Sequence, residues 1–191
     1  GDSVDISFAG GFVFQNVQGV SAVRMRGSAG SPLKQITIVK SKFINNDNTN
    51  TGVLSHGGGV FARFVEDLRL DNLIADGNKA EARGGFLYLI DIDGLSLLGG
   101  LWQHNQAAQG GALYLEDIRG LSFSGQIVKA NTATMGGGMS LRQIQQQTIK
   151  NIQFIDNKGI VINGANRGAG LHIEACKDLT LQTISLINNQ L

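Results

Sequence analysis

The sequence predicts an all-β fold, a right-handed parallel β-helix (β-solenoid) of about seven coils of 26–32 residues. Three observations predict it. Glycine pairs recur along the chain, an asparagine follows each pair at a constant distance, and apolar residues alternate with polar ones between them. One such coil cannot bury its own apolar side chains, so coils must stack. Right-handedness follows from the twist of L-strands and parallel crossovers.

Glycine-rich segments mark the repeat. The second begins Gly84-Gly85-Phe86-Leu87-Tyr88, and related segments lie at 57–61, 110–114, 136–140 and 168–172. Short strands separated by glycine turns fit the period-two alternation. Residues 1–191 are therefore predicted to form a single β-solenoid domain, which is a segment or subunit of a longer assembly.

An asparagine stands 21 residues after the first glycine of each of these five segments. Stacked asparagines satisfy each other's amides and tolerate the left-handed backbone of a tight corner. Because the spacing varies while this offset is constant, we expect insertions only between an asparagine and the next glycine pair, as in residues 47–56 and 158–167. The predicted asparagine ladder is Asn16, Asn46, Asn78, Asn105, Asn131, Asn157 and Asn189.

A second column follows directly after the inward-facing apolar residue of each glycine segment, so alternation places it on the outer face. It contains Phe61, Tyr88, Tyr114, Ser140 and His172. These aromatic side chains therefore either lie exposed and bind sugar rings or a partner or, as the favoured interpretation, stack across strands beneath a covering loop. Cys176 and Trp102 fall in core columns.

Composition excludes several classes of protein. Only 16% of residues are charged and the formal net charge is +1, so we expect no nucleic-acid partner. No run of 18 apolar residues suggests membrane insertion. A single cysteine excludes an intrachain disulfide.

Catalysis is not predicted, and neither is a cofactor or metal. Asp91 and Asp117 share a column and are the nearest candidate for a Ca²⁺-dependent polysaccharide lyase, but no third acid joins them. The three histidines, His56, His104 and His172, occupy three different positions of the repeat.

The segments Gly110-Gly111-Ala112-Leu113, Phe43-Ile44-Asn45-Asn46 and Phe154-Ile155-Asp156-Asn157 resemble the Gly-Gly-Ala-Ile and Phe-x-x-Asn repeats of chlamydial polymorphic outer-membrane proteins. Similar repeats occur in protist surface proteins. The likeness covers the chain only as a short repeat, and other residues replace the Phe in most coils. It implies an extracellular or cell-surface location and an adhesive or coat-forming role.

The function predicted is a non-catalytic structural or adhesive β-solenoid. The first coil starts part-way through a repeat, the last stops two residues after Asn189, and neither has a polar cap. We therefore expect end-to-end self-association or further coils of the same protein, with a glycan or host-surface protein as another possible partner. The alternatives are a carbohydrate-binding module that uses the aromatic column and, less favoured, a polysaccharide lyase or hydrolase.

Overall fold

The computed structural model describes residues 6–49, 55–161 and 167–191, and in these ranges the chain is all-β. No described residue forms a helix long and apolar enough to cross a membrane. The strands are β1 (Ile6–Ala9), β2 (Val13–Gln15), β3 (Val23–Arg26), β4 (Leu33–Val39), β5 (Lys42–Ile44), β6 (Asp47–Asn48), β7 (Val60–Asp76), β8 (Lys79–Ala80), β9 (Leu87–Gln103), β10 (Leu113–Ser124), β11 (Ile127–Lys129), β12 (Thr132–Ala133), β13 (Met139–Arg142), β14 (Thr148–Ile155), β15 (Lys158–Gly159), β16 (Leu171–Glu174) and β17 (Thr180–Ile187).

Every pairing between these strands is parallel, and most belong to one large sheet. Each strand pairs with the equivalent strand one repeat later. Leu87 of β9 faces Leu113 of β10, which faces Met139 of β13, which faces Leu171 of β16. A repeat is the stretch of chain between one strand and the equivalent strand with which it pairs. The predicted parallel pairing is confirmed.

The prediction that insertions occur only between an asparagine and the next glycine pair was wrong. The register between β3 and β7 joins Val23 to Val60, an offset of 37 residues, whereas β4 and β7 join Leu33 to Val65, an offset of 32. The loop between Arg26 and Leu33 therefore carries five extra residues. A one-residue insertion also follows β1, because Ile6 pairs with Ile36 but Val13 pairs with Lys42.

Alternate side chains of the strands point into one continuous apolar core. A chain of aromatic contacts runs through it: Phe14 stacks on Phe43 (centroids 4.8 Å apart), and tilted or edge-on contacts continue through Phe86 and Trp102 to Phe123. Trp102 is 1% exposed, so its predicted core position is confirmed. Dispersion contacts along such a stack, with exclusion of water, hold successive repeats together.

The glycine pairs are required for two different reasons. Gly84 has a φ of +61°, a left-handed conformation that favours glycine. Gly85 has no such conformation, but a Cβ placed on it would lie 2.2 Å from the carbonyl oxygen of Gly111 in the next repeat. The first glycine thus turns the chain, and the second lets neighbouring repeats approach.

The connection after Asn46 is held at both of its ends. At its start Asp47 and Asn48 of β6 pair with Lys79 and Ala80 of β8. At its end His56 forms a parallel bridge with Arg83.

Candidate functional site

The asparagine ladder is present and continuous over six repeats. The Nδ2 atom of each member donates to the Oδ1 atom of the next, at distances of 2.8–3.0 Å. The same Oδ1 also accepts the backbone N–H of the preceding ladder residue. The members are Asn46, Asn78, Asn105, Asn131, Asn157 and Asn189.

The internal ladder amides, from Asn78 to Asn157, are saturated by these bonds. Asn131, for example, uses its second Nδ2 hydrogen to reach the carbonyl oxygen of Trp102 at 2.8 Å, and it is fully buried. Buried polar groups are tolerated when every donor and acceptor is paired. The internal ladder therefore holds the repeats together and offers no free group to a ligand.

The assignment of Asn16 to the ladder was wrong. The backbone N–H of Val17, not that of Asn16, donates to Asn46 Oδ1, at 3.1 Å. Asn16 is exposed, with a φ of 57°, and it aligns with Asn45. Because of the one-residue insertion after β1, the ladder position of the first repeat falls at Val17, one residue after Asn16.

The outer-face column is aligned as predicted. Parallel registers join Phe61 to Tyr88, Tyr114, Ser140 and His172 in successive repeats. Ring centroids are 5.3 Å apart between Phe61 and Tyr88 and 5.6 Å apart between Tyr88 and Tyr114. These three rings form a second apolar cluster, separate from the main core.

Of the two interpretations of this column, the exposed binding surface was wrong, and the covered stack is the one that the burial supports. Phe61 and Tyr88 are 6% exposed and Tyr114 is 1% exposed. The covering groups are the Arg24 guanidinium over Phe61, the His56 ring stacked 4.5 Å from Tyr88, and the Arg83 guanidinium over Tyr114. No open platform for a sugar ring remains there.

A network of charged side chains covers the outer face around Glu116, and no sequence pattern predicted it. Glu116 is 7% exposed; its carboxylate accepts from Tyr114 Oη at 3.0 Å and from Arg142 Nη1 at 3.1 Å. Arg83 Nη1 lies 3.6 Å away. Burial, with the nearby Glu116 carboxylate, raises the pKa of Tyr114 to about 12 against the opposing charge of Arg83.

His172 ends the outer-face column. It is half-buried, and its Nδ1 lies 3.2 Å from Ser140 Oγ. Burial lowers the pKa of His172, so the ring is neutral at pH 7. Ser140 is only 3% exposed, which keeps its hydroxyl from an external substrate. This pair serves as packing rather than as a nucleophile and base.

Asp91 and Asp117 lie in adjacent repeats, but they are not equivalent. Asp91 accepts from Arg63 Nε at 2.9 Å. Asp117 is exposed; partial desolvation and the like charges of Glu116 and Asp91 raise its pKa. Residues 6–49, 55–161 and 167–191 contain no group of three or more His, Cys, Asp or Glu arranged to hold a metal ion.

The remaining candidates take structural positions. His104 Nδ1 lies 2.8 Å from Asp76 Oδ1, on the exterior. His56 is stacked on Tyr88, and burial with the charges of Arg83 and Arg24 lowers its pKa. Cys176 is half-buried against the edge of the main core.

Compared with protein-family models, curated proteins and solved structures, the chain gives no match. Its function is therefore argued from its own residues.

Proposed function

We propose that the chain is a right-handed β-solenoid and that it serves as a non-catalytic structural or adhesive element whose repeats continue lengthwise. Parallel pairing of equivalent strands in successive repeats, a shared core and the asparagine ladder support this proposal. The side chains that recur in each repeat contact the neighbouring repeats, so they support a structural role for the repeat. The resemblance to chlamydial and protist surface repeats supports an extracellular or cell-surface location.

In the last repeat, side chains at core positions are exposed to solvent, and this observation supports the proposal most. Leu186 is 63% exposed, whereas its equivalent Phe154 in the preceding repeat is 1% exposed. Leu181 and Ile173, also at core positions, are each 41% exposed. At about 25 cal/mol per Å² of apolar area, a further repeat that covered these side chains would be stabilised by several kcal/mol.

The ladder leaves donors at the same end. Asn189 Nδ2 donates to the Phe154 carbonyl at 2.9 Å, but in the described part of the chain nothing accepts from the Asn189 backbone N–H. Every other ladder asparagine meets the Oδ1 of a following asparagine there. An additional repeat with an amide at this position would complete the pattern.

Burial of Phe61, Tyr88 and Tyr114 removes the support for a carbohydrate module built on that column. The pairing of Asp91 with Arg63 likewise does not favour a Ca²⁺-dependent lyase.

Sedimentation velocity and negative-stain electron microscopy test the proposal with Leu186→Lys. We expect the unaltered protein to form lengthwise oligomers and the variant to be a monomer, because a buried unpaired charge opposes the joint. Ile127→Lys is the control, since Ile127 is 38% exposed in a middle repeat. A monomeric unaltered protein, or equal association of both variants, would contradict lengthwise growth.

A further inference from the structure

An open cleft crosses four repeats beside the outer face. Its volume is about 690 Å³. Phe64 of β7, Asp91 of β9 and Asp117 of β10 line it in sequence, and Gln143, directly after β13, continues the line. The inserted loop between β3 and β4 contributes Ala29 at one end. The cleft therefore runs across successive strands, about 4.8 Å apart.

The backbone of this line favours glycine, yet the line carries side chains. Phe64, Asp91, Asp117 and Gln143 all have φ between 51° and 54°. A non-glycine residue is disfavoured in this conformation. In a neighbouring column of residues whose φ is also positive, two repeats have glycine, at Gly94 and Gly120. The four side chains of the line therefore leave the backbone in the same conformation, one in each repeat.

The walls of the cleft are fixed, while several polar groups in it are free. The side chain of Gln147 is held by Leu121 N at 2.9 Å and the Gln145 carbonyl at 3.0 Å. Within the described residues, Asp117 and Arg119 make no ion pair or side-chain hydrogen bond, and both are exposed. Such groups are preorganised by the strands but still available to a ligand.

The composition of the cleft selects the class of ligand. Amides, carboxylates and one guanidinium supply both donors and acceptors, and Phe64 adds a half-buried ring, one face of which the Arg63 guanidinium covers. With Asp91 neutralised by Arg63, the charges of Asp93, Asp117 and Arg119 leave one net negative charge. That balance disfavours a polyanion and suits hydroxyl groups beside the apolar face of a sugar ring.

We propose that this cleft binds a segment of a neutral, linear polysaccharide laid across the repeats. Polar groups that recur at the strand spacing match a ligand that itself repeats along a line. This inference deepens the adhesive part of the proposed function, but it does not depend on lengthwise growth, because all four repeats that form the cleft are internal.

Isothermal titration calorimetry tests it with hexasaccharides of cellulose, xylan, mannan and chitin, and with hexagalacturonate as the polyanion. We expect at least one neutral hexasaccharide to bind, and its disaccharide to bind far more weakly because it spans fewer repeats. Asp117→Ala should lower the affinity for that ligand about five- to tenfold. Gln145→Ala should lower it similarly, and its backbone is not left-handed, so it remains informative if Asp117→Ala unfolds.

Asp156→Ala is the matched control. Asp156 is exposed and has a φ of 53°, like Asp117, but it lies outside the cleft. It should bind as the unaltered protein does. The inference is overturned if no neutral hexasaccharide binds, if hexagalacturonate alone binds, or if Asp117→Ala and Asp156→Ala bind equally. Unchanged sedimentation in that event would leave the proposed lengthwise growth standing.

Discussion

The middle repeats and the last repeat use the same columns, yet they differ in what covers them. Asn131 and Val128, in the middle, are fully buried, with a neighbour on each side. Asn189 and Leu186 are their equivalents at the end, and both are accessible to solvent. Neither the apolar column nor the ladder changes its residue types at the last repeat, and the proposed lengthwise continuation requires this.

The first repeat is built differently. The insertion after β1 brings Phe12 against Phe8 (ring centroids 5.4 Å apart) and Phe14, so an aromatic ring partly covers that end. Val17 occupies the ladder position. A second copy joined through its first repeat would therefore place Val17, which has no acceptor in its side chain, against the donors of Asn189. The joint between two copies would therefore lack one ladder hydrogen bond, which makes it weaker than the contact between successive repeats.

The largest expected difference between middle and end concerns the ladder. Asn131→Ala should lower the free energy of unfolding by about 4 kcal/mol, because the buried N–H and Nδ2 of Asn105 lose their acceptor. Asn189→Ala should cost about 1 kcal/mol, since water reaches that end. Urea denaturation measures both. Equal losses would show that the end is as sealed as the middle.

The outer face gives the next difference, as a dependence on pH. The pKa of Tyr114 is raised to about 12, so the folded state keeps its proton where the unfolded state loses it. Stability is fully present below pH 10 and should fall between pH 10 and pH 12, by roughly 2 kcal/mol. Urea denaturation across this range should show the loss, and Tyr114→Phe should remove most of it. A Tyr114→Phe profile parallel to that of the unaltered protein would refute the sealed outer face.

Phe12 tests whether the first end is covered. Phe12→Ala should lower the free energy of unfolding by about 1–2 kcal/mol, because its contacts with Phe8 and Phe14 are lost. Leu186→Ala, at the uncovered end, should cost less than about 0.5 kcal/mol. Thermal and urea denaturation compare the two. The reverse order would mean that the ends had been assigned the wrong way round.

Val17→Asn should change the free energy of unfolding least, by at most about 1 kcal/mol, since it adds one hydrogen bond that water can replace. It should nevertheless strengthen head-to-tail association about tenfold, because it offers Asn189 of another copy an acceptor. Sedimentation equilibrium measures this. Val20→Asn is the control, because Val20 is exposed in the same part of the chain and lies off the ladder. No difference between the two variants would show that ladder chemistry does not govern the joint.

The sequence was sufficient for the register of the middle repeats, because their glycine pairs and asparagines fix two points in each repeat. It failed at Asn16, since the insertion after β1 leaves no mark that separates a longer turn from a shifted ladder. It also placed Tyr88 and Tyr114 on the correct face and favoured a covered stack, but it did not identify the groups that cover them. His56 and Arg83 reach them from a different column, and such contacts between columns have no periodic signature. The Glu116 network and the cleft escaped prediction for the same reason.

The connection that leaves at Asp47–Asn48 and returns at His56 has a practical consequence. Both of its anchor points are held by pairing with the next repeat, at Lys79–Ala80 and at Arg83. Pairing with the next repeat therefore fixes where the chain leaves and where it returns. A foreign peptide inserted between these two points would begin and end at positions that its own sequence does not set, and the chain would become a carrier for epitopes.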